Sequence, residues 1–166
     1  MNASIRTQKL LTAALRESNG DILRYLQRRV GPVDAPDLFG ETLLIAWRRV
    51  DDLPENPLET RMWLFGLARG TLQNHARGER RRAALADRIR AHMPRVSDTP
   101  AADEGDEVRD ALSRLRPELA EIVQLVHWDG FRIGEAAEIV GVPAATARSR
   151  YARAKQELRA ALGALA

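Results

Sequence analysis

Apolar residues recur along this chain at intervals of three and four, and strand-like alternation of period two is absent. This spacing puts apolar side chains on one face of an α-helix, so it predicts an all-α protein. Four helices are expected in the first half of the chain. They cover residues 4–17, residues 21–30, a segment from Asp34 or Asp37 to Val50, and a segment from Thr60 to Arg80.

Helix-breaking residues and apolar positions refine this prediction. We expect Asn19-Gly20-Asp21 to end the first helix, Gly31-Pro32 to end the second, and residues 51–59, with two prolines, to form a loop. The positions expected to face the core are Leu10, Leu11, Ala14, Leu15, Ile22, Tyr25, Leu26, Val30, Leu43, Trp47, Val50, Trp63, Leu64, Leu67, Ala68, Thr71 and Leu72.

Residues 131–160 have the layout of a helix-turn-helix, in which the second helix enters the DNA major groove. Ala137 lies where two helices must approach closely, and Gly141 lies where the chain turns and a positive φ is often required. Pro143 precedes the second helix, and Thr146 can satisfy an orphan amide in its first turn. One apolar stripe is expected on that helix, formed by Ala147, Tyr151, Ala154, Leu158 and Leu162.

A further helical segment is expected before the helix-turn-helix. Val108, Leu112 and Leu115 predict one apolar seam. Pro117 is expected to begin the next helix, because a proline at the first helical position loses little hydrogen bonding. The apolar residues of that helix are Leu119, Ile122, Val123 and Val126.

Charge is separated along the 166 residues, although the net charge is only +3. Residues 69–95 contain eight arginines, residues 97–110 contain six acids, and residues 141–166 contain five basic residues. Basic blocks favour nucleic-acid partners, because they displace counterions from phosphates. The acidic block is typical of a flexible linker. We therefore expect two small helical domains, 4–85 and 108–166, joined by a linker at 86–107.

Several classes of protein are disfavoured. The chain contains no cysteine, which excludes disulfides and thiolate metal sites. It has no apolar run long enough to cross a bilayer and no signal-peptide centre, so a cytoplasmic protein without a membrane partner is expected. His75, His92 and His127 lack metal-ligand spacing, and no glycine-rich loop precedes a helix. A protein that is not an enzyme, with no metal and no cofactor, is therefore predicted.

Three motifs give the chain a resemblance to a known family. They are DLFGET at 37–42, WLFGLAR at 63–69 and TARSRYARAK at 146–155. Residues 10–82 are similar to region two of bacterial sigma factors, and residues 112–162 are similar to region four. Two such domains and little else is the layout of the extracytoplasmic-function (ECF) subfamily. The resemblance implies a transcription initiation factor that binds core RNA polymerase and directs it to promoters.

The resemblance also implies roles for individual residues. Duplex contact at the minus-thirty-five element is expected from Thr146, Arg148, Ser149, Arg150, Arg153 and Lys155. Capture of the melted minus-ten strand is expected from Arg61, Trp63, Gly70, Asn74, Arg77, Arg80 and Arg81. Docking on the clamp helices of the polymerase is expected from Asp37, Leu38, Glu41, Thr42 and Trp47. Region four would dock on the polymerase flap, and an anti-sigma factor is a candidate partner.

Some positions depart from the family pattern or have more than one interpretation. Gly40 replaces a usual glutamine, Gly70 a common asparagine, and Ala147 a larger branched residue. For Trp47, core packing is expected rather than direct contact, whereas for Trp63 burial and base stacking both remain open. The alternative function is a conventional helix-turn-helix regulator that binds duplex DNA as a dimer.

Overall fold

The computed structural model describes residues 2–90 and 106–163, and these ranges contain helices joined by short turns and no strand, which confirms the predicted all-α class. The chain divides into two units, Met1–Arg95 and Val96–Ala166. The elements are α1 (Asn2–Arg48), a 3-10 helix (Val50–Asp52), α2 (Pro57–Arg90), α3 (Asp106–Arg114), α4 (Pro117–His127), α5 (Ile133–Val140) and α6 (Ala144–Gly163).

A single residue interrupts α1. Gly31 has φ 83° and ψ 172°, a conformation that favours glycine, and Pro32 follows it. The predicted stop at Gly31-Pro32 is therefore confirmed. It divides α1 into a first arm (residues 2–30) and a second arm (residues 32–48).

The predicted break at Asn19-Gly20-Asp21 is wrong, because the first arm stays helical through these residues. Ser18 and Ile22, on either side, are buried, and Asp21 pairs with Arg24 one turn later and with Arg61 of α2 at 3.5 Å. Glycine costs a helix interior about 1 kcal/mol, and tertiary packing exceeds that cost. Leu10, which we expected to face inward, is exposed.

The core of the N-terminal unit lies between α1 and α2. The rings of Tyr25 and Phe65 meet edge to face, with centroids 5.1 Å apart. The buried hydroxyls of Thr42 and Thr71 lie 3.2 Å apart and link the second arm to α2. Each hydroxyl is also within hydrogen-bond distance of a carbonyl of its own helix, so this buried polar pair is satisfied.

Helix α2 is longer at both ends than the predicted Thr60–Arg80. Asn56 caps its start, because the Asn56 Oδ1 accepts from the backbone N–H of Leu58 at 2.9 Å and of Glu59 at 3.4 Å. Pro57 occupies the first helical position, where its missing N–H is not needed. The helix continues beyond Arg80 because alanine and arginine dominate the next turns and both favour helix.

The C-terminal unit packs α6 against α3, α4 and α5. Gly141 ends α5 with φ 79°, and both its N–H and that of Val142 donate to the carbonyl of Ala137. Ala137 and Ala147 are fully or almost fully buried, so α5 and α6 approach closely there. The predicted turn and Pro117 start are confirmed.

The apolar seam on α3 is only partly as predicted. Leu112 and Leu115 join Leu119, Val123 and Ala154 in one buried cluster. Val108 is exposed, one turn before the buried Leu112. The linker acids Asp98, Asp103 and Glu104 lie outside the described residues.

Candidate functional site

Helix α6 presents a basic face opposite its buried stripe. Ala147 and Ala154 are completely buried, and Tyr151 and Leu158 are partly buried against the core. Of the six candidate duplex-contacting residues, Arg148, Ser149 and Arg153 are exposed, whereas Thr146, Arg150 and Lys155 are partly buried at the flanks. The exposed set is therefore the one positioned to reach a groove.

Small side chains occupy the middle of this exposed face. Ala145, Ser149 and Ala152 follow one another at intervals of four and three residues, which places them on one side of the helix. All three are exposed. Because no bulky residue stands among them, α6 can approach base edges closely, with Arg148 on one flank and Arg153 on the other.

Two of the candidate cations in α6 already have partners. Arg153 Nε donates to Glu157 Oε1 at 2.9 Å, and Lys155 Nζ lies 5.1 Å from the centroid of the Tyr151 ring. The Tyr151 hydroxyl lies 2.8 Å from His127 Nε2, and the two rings stack. Tyr151 thus packs inward, and its hydroxyl is engaged by α4.

One face of α2 carries most of the candidate strand-binding residues. Trp63, Gly70, Asn74 and Arg77 recur at intervals of seven, four and three, so they share that face. A Cβ placed on Gly70 would meet no atom within 4 Å outside the backbone of its own helix, so the surface beside Gly70 is open. Arg80 and Arg81 are exposed further along the helix.

Two residues of this set are held by neighbours. Arg61 pairs with Asp21, and its guanidinium lies 4.8 Å from the centroid of the Phe65 ring. Trp63 is partly buried, and its buried Nε1 has no hydrogen-bond partner among the residues that the structure describes. The ring is neither a fully buried core residue nor a fully open stacking surface, so both interpretations of Trp63 remain.

The second arm of α1 carries the candidate docking residues on two different faces. Leu38 and Thr42 lie in the core, whereas Asp37, Glu41 and Trp47 are exposed. The expected core packing of Trp47 is wrong, because 41% of the residue is accessible. The second arm turns this position away from α2 and towards solvent.

An apolar residue that sequence reasoning missed completes this exposed surface. Leu44 is 58% accessible and lies three residues before Trp47 and seven after Asp37, on the same side of the helix. The spacing of Leu44 from Asp37 and Trp47 is the sequence signal for this surface. The preceding residue, Leu43, is partly buried and fits the core stripe, so two adjacent leucines belong to different sides of the helix.

Within residues 2–90 and 106–163, no cluster of histidine, aspartate and glutamate could hold a metal ion. No helix in these ranges is long and apolar enough to span a membrane.

Comparison with known proteins identifies both halves of the chain. Residues 15–82 match Sigma-70 region 2, and residues 105–158 match Sigma-70, region 4. The ECF RNA polymerase sigma factor EcfG of Rhodopseudomonas palustris is 35% identical, over 77% of this chain and 71% of that protein. The ECF RNA polymerase sigma factor SigL of Mycobacterium tuberculosis is 28% identical, over 98% of this chain and 94% of that protein.

Solved structures show the same fold. The sigma factor RpoE of Bartonella quintana, in complex with the anti-sigma factor NepR, has a TM-score of 0.66 at 24% identity, covering 94% of this chain and 96% of that one. CnrH, in complex with the cytosolic domain of CnrY, also has a TM-score of 0.66, at 20% identity, covering 98% and 94%. With both region matches in the expected order and the identity to EcfG, the chain belongs to the ECF group of the sigma-70 family, the transcription initiation factors that direct RNA polymerase to promoters.

Proposed function

We propose that this sigma factor divides promoter recognition between its two units. The C-terminal unit binds the minus-thirty-five duplex through the exposed face of α6, chiefly Arg148, Ser149 and Arg153. The N-terminal unit holds the melted minus-ten strand on the α2 face that carries Trp63 and Asn74. Aromatic rings stack on separated bases and arginines follow the phosphates, which suits this face to single-stranded DNA.

The second arm of α1 is the docking surface for the clamp helices of core polymerase. Asp37 and Glu41 supply negative charge, and Leu44 and Trp47 supply exposed apolar area. A surface of this kind fits a basic, helical partner. Leu38 and Thr42 support it from beneath by holding the arm against α2. The C-terminal unit would dock on the flap, and core polymerase would carry out the chemistry.

The observation that carries this proposal is the separation of the two nucleic-acid faces. The exposed basic face of α6 and the face of α2 lie in different units of the chain, and the matched regions 15–82 and 105–158 follow the same division. We propose domain limits of 4–85 and 108–166 with a linker at 86–107, of which residues 86–90 belong to α2 and residues 106–107 to α3. A factor that bound only duplex DNA would have no use for the α2 face.

Two further aspects concern the setting in which this factor works. RpoE and CnrH are each found with a partner, the anti-sigma factor NepR and the cytosolic domain of CnrY. By analogy, an anti-sigma factor is a candidate partner of this chain. We also propose that the protein acts in the cytoplasm, where core polymerase and promoter DNA are found.

An in vitro transcription experiment tests the proposal. The purified full chain is added to core polymerase on a library of DNA with randomised minus-thirty-five and minus-ten positions, and the transcripts are sequenced. We expect transcripts only when chain and core are both present, enriched for two sequence elements at a fixed spacing. Tight dimeric binding to duplex DNA without polymerase, and no transcript, would support the conventional regulator instead.

A further inference from the structure

Five positions on one side of the second arm of α1 follow a regular spacing; all are exposed except Gly40, which is partly buried. Val33, Asp37, Gly40, Leu44 and Trp47 are separated by four, three, four and three residues. This is the spacing of the seam with which one helix packs on another in a coiled coil. Val33 and Leu44 are 84% and 58% accessible, although they are apolar. The spacing therefore indicates a helical partner rather than an irregular one.

Gly40 lies in the middle of this seam, and the arm itself does not require a glycine there. Its backbone is helical, since Gly31 alone departs from helical geometry in α1. A Cβ built on Gly40 would meet no atom within 4 Å outside the backbone of its own helix. An alanine could therefore occupy the position without a clash, and it would make the helix more stable. Neither backbone strain nor internal packing explains the glycine.

The missing side chain creates a gap bordered by groups suited to a protein partner. Leu44 and Trp47 stand on one side of the gap along the helix, and Val33 and Asp37 on the other. In knobs-into-holes packing, a seam position without a side chain lets the partner helix insert a large side chain or approach more closely. The carboxylates of Asp37 and Glu41, beside the gap, select for basic residues next to that inserted side chain.

We propose that Gly40 is a specificity-determining gap that receives a bulky apolar side chain from a basic helix of core RNA polymerase. This inference rests on the proposed function of the second arm as the polymerase-docking surface. In this inference, Gly40 lowers the stability of the free arm but improves the fit of the arm to the polymerase helix. Stability and affinity should then respond in opposite directions when the gap is filled.

The test compares substitutions at two glycines of α1 in the full chain. Gly40→Ala and Gly40→Gln fill the gap to different extents, and Gly20→Ala is the matched control. Gly20 is also helical; it is exposed whereas Gly40 is partly buried, and its Cβ would lie in ordinary contact, 3.7 Å from Arg24 Nη1. Thermal unfolding reports stability. Affinity for core polymerase is measured by fluorescence anisotropy with a label on one introduced cysteine, which is unique because the chain has none.

We expect both alanine variants to unfold at a higher temperature than the wild type, because each removes a glycine from a helix. Gly20→Ala should leave affinity for core polymerase unchanged. Gly40→Ala should weaken it about fivefold, and Gly40→Gln more strongly, because filling an occupied gap costs roughly 1–3 kcal/mol and 1.4 kcal/mol corresponds to tenfold.

The variants Leu44→Ala and Trp47→Ala distinguish two negative outcomes: either the gap at Gly40 has no role, or the second arm is not the docking surface for polymerase. If these two variants weaken binding while Gly40→Ala and Gly40→Gln bind as tightly as the wild type, the surface docks polymerase but the gap is empty, and the inference is overturned. If Leu44→Ala and Trp47→Ala bind normally, the docking surface is wrong, and the inference falls with it.

Discussion

Removal of the Thr42 hydroxyl distinguishes a core role from a polymerase contact. The Thr42 hydroxyl is completely buried, 3.2 Å from that of Thr71 on α2 and 2.8 Å from the carbonyl of Leu38. Thr42→Val keeps the shape of the side chain and removes only its polar atom. If Thr42 acts by holding the second arm on α2, the substitution lowers stability and leaves affinity for the folded state intact.

The expected size of the effect follows from these contacts. A typical hydrogen bond contributes about 0.5–1.5 kcal/mol to stability. The Thr71 hydroxyl still donates to the carbonyl of Leu67 at 3.1 Å, so the substitution leaves no buried donor unpaired. We therefore expect a loss of about 1 kcal/mol, which lowers the melting temperature of a unit of this size by roughly 4–8 °C.

A double-mutant cycle makes the prediction specific to the pair. Thr71→Val should cost about as much as Thr42→Val, since each removes the same link between α1 and α2. The double variant should be closer to the wild type than the sum of the two losses, because replacing both partners by apolar groups of the same shape can be nearly neutral. Thermal unfolding of the four proteins gives the coupling energy.

Binding to core polymerase completes the test, at a temperature where all four proteins are folded. We expect equal affinities. An affinity that falls tenfold for Thr42→Val, with the fold intact, would refute the reasoning, because it would mean that the buried hydroxyl reaches the partner.

Three other predictions concern the remaining surfaces. Arg148→Ala should cost about 1–3 kcal/mol in binding to minus-thirty-five duplex and relax sequence preference; equilibrium binding to matched and mismatched duplexes checks this, and a uniform loss would mark a phosphate contact. Gly141→Ala should destabilise the C-terminal unit by roughly 1–2 kcal/mol, because φ is 79° there; an unchanged melting temperature would contradict it. Trp63→Ala should weaken binding of minus-ten single strands to the chain with core polymerase by about 1–3 kcal/mol if the ring stacks on a base; unchanged binding would assign Trp63 to packing.

The helix-turn-helix was predictable because its signals are local. The turn at Gly141 depends only on the backbone conformation of that residue. Pro143 and Pro117 favour helix starts because their missing N–H groups are not needed there. The stripe of Ala147 and Ala154 follows from helical periodicity alone. These features depend little on the rest of the chain, so sequence reasoning found them at the correct residues.

The continuity of α1 was not predictable from local signals. Asn19-Gly20-Asp21 has the composition of a turn, yet burial of Ser18 and Ile22 and the pairs of Asp21 keep it helical. The start of α2 was missed for a different reason. Asn56 and Pro57 form a helix cap, but two prolines close together suggested a loop.

The site was predictable as a set of segments and less so as a set of side chains. The second arm, α2 and α6 carry the candidate residues. Within a single helix, however, residues that are close in sequence can point to opposite sides. Leu38 and Thr42 consequently lie in the core, whereas Leu44 and Trp47 reach the surface. Which side of the arm faces α2 depends on the kink at Gly31 and on the pairing of Thr42 with Thr71, and neither is visible in periodicity.

Permanganate reactivity of unpaired thymines on a promoter measures the central claim most directly, because it reports strand separation itself. With core polymerase and this chain together, we expect reactive thymines at the minus-ten element on the non-template strand. With core polymerase alone, or with the chain alone, we expect none. A duplex that stays closed when both are bound to it would contradict the account.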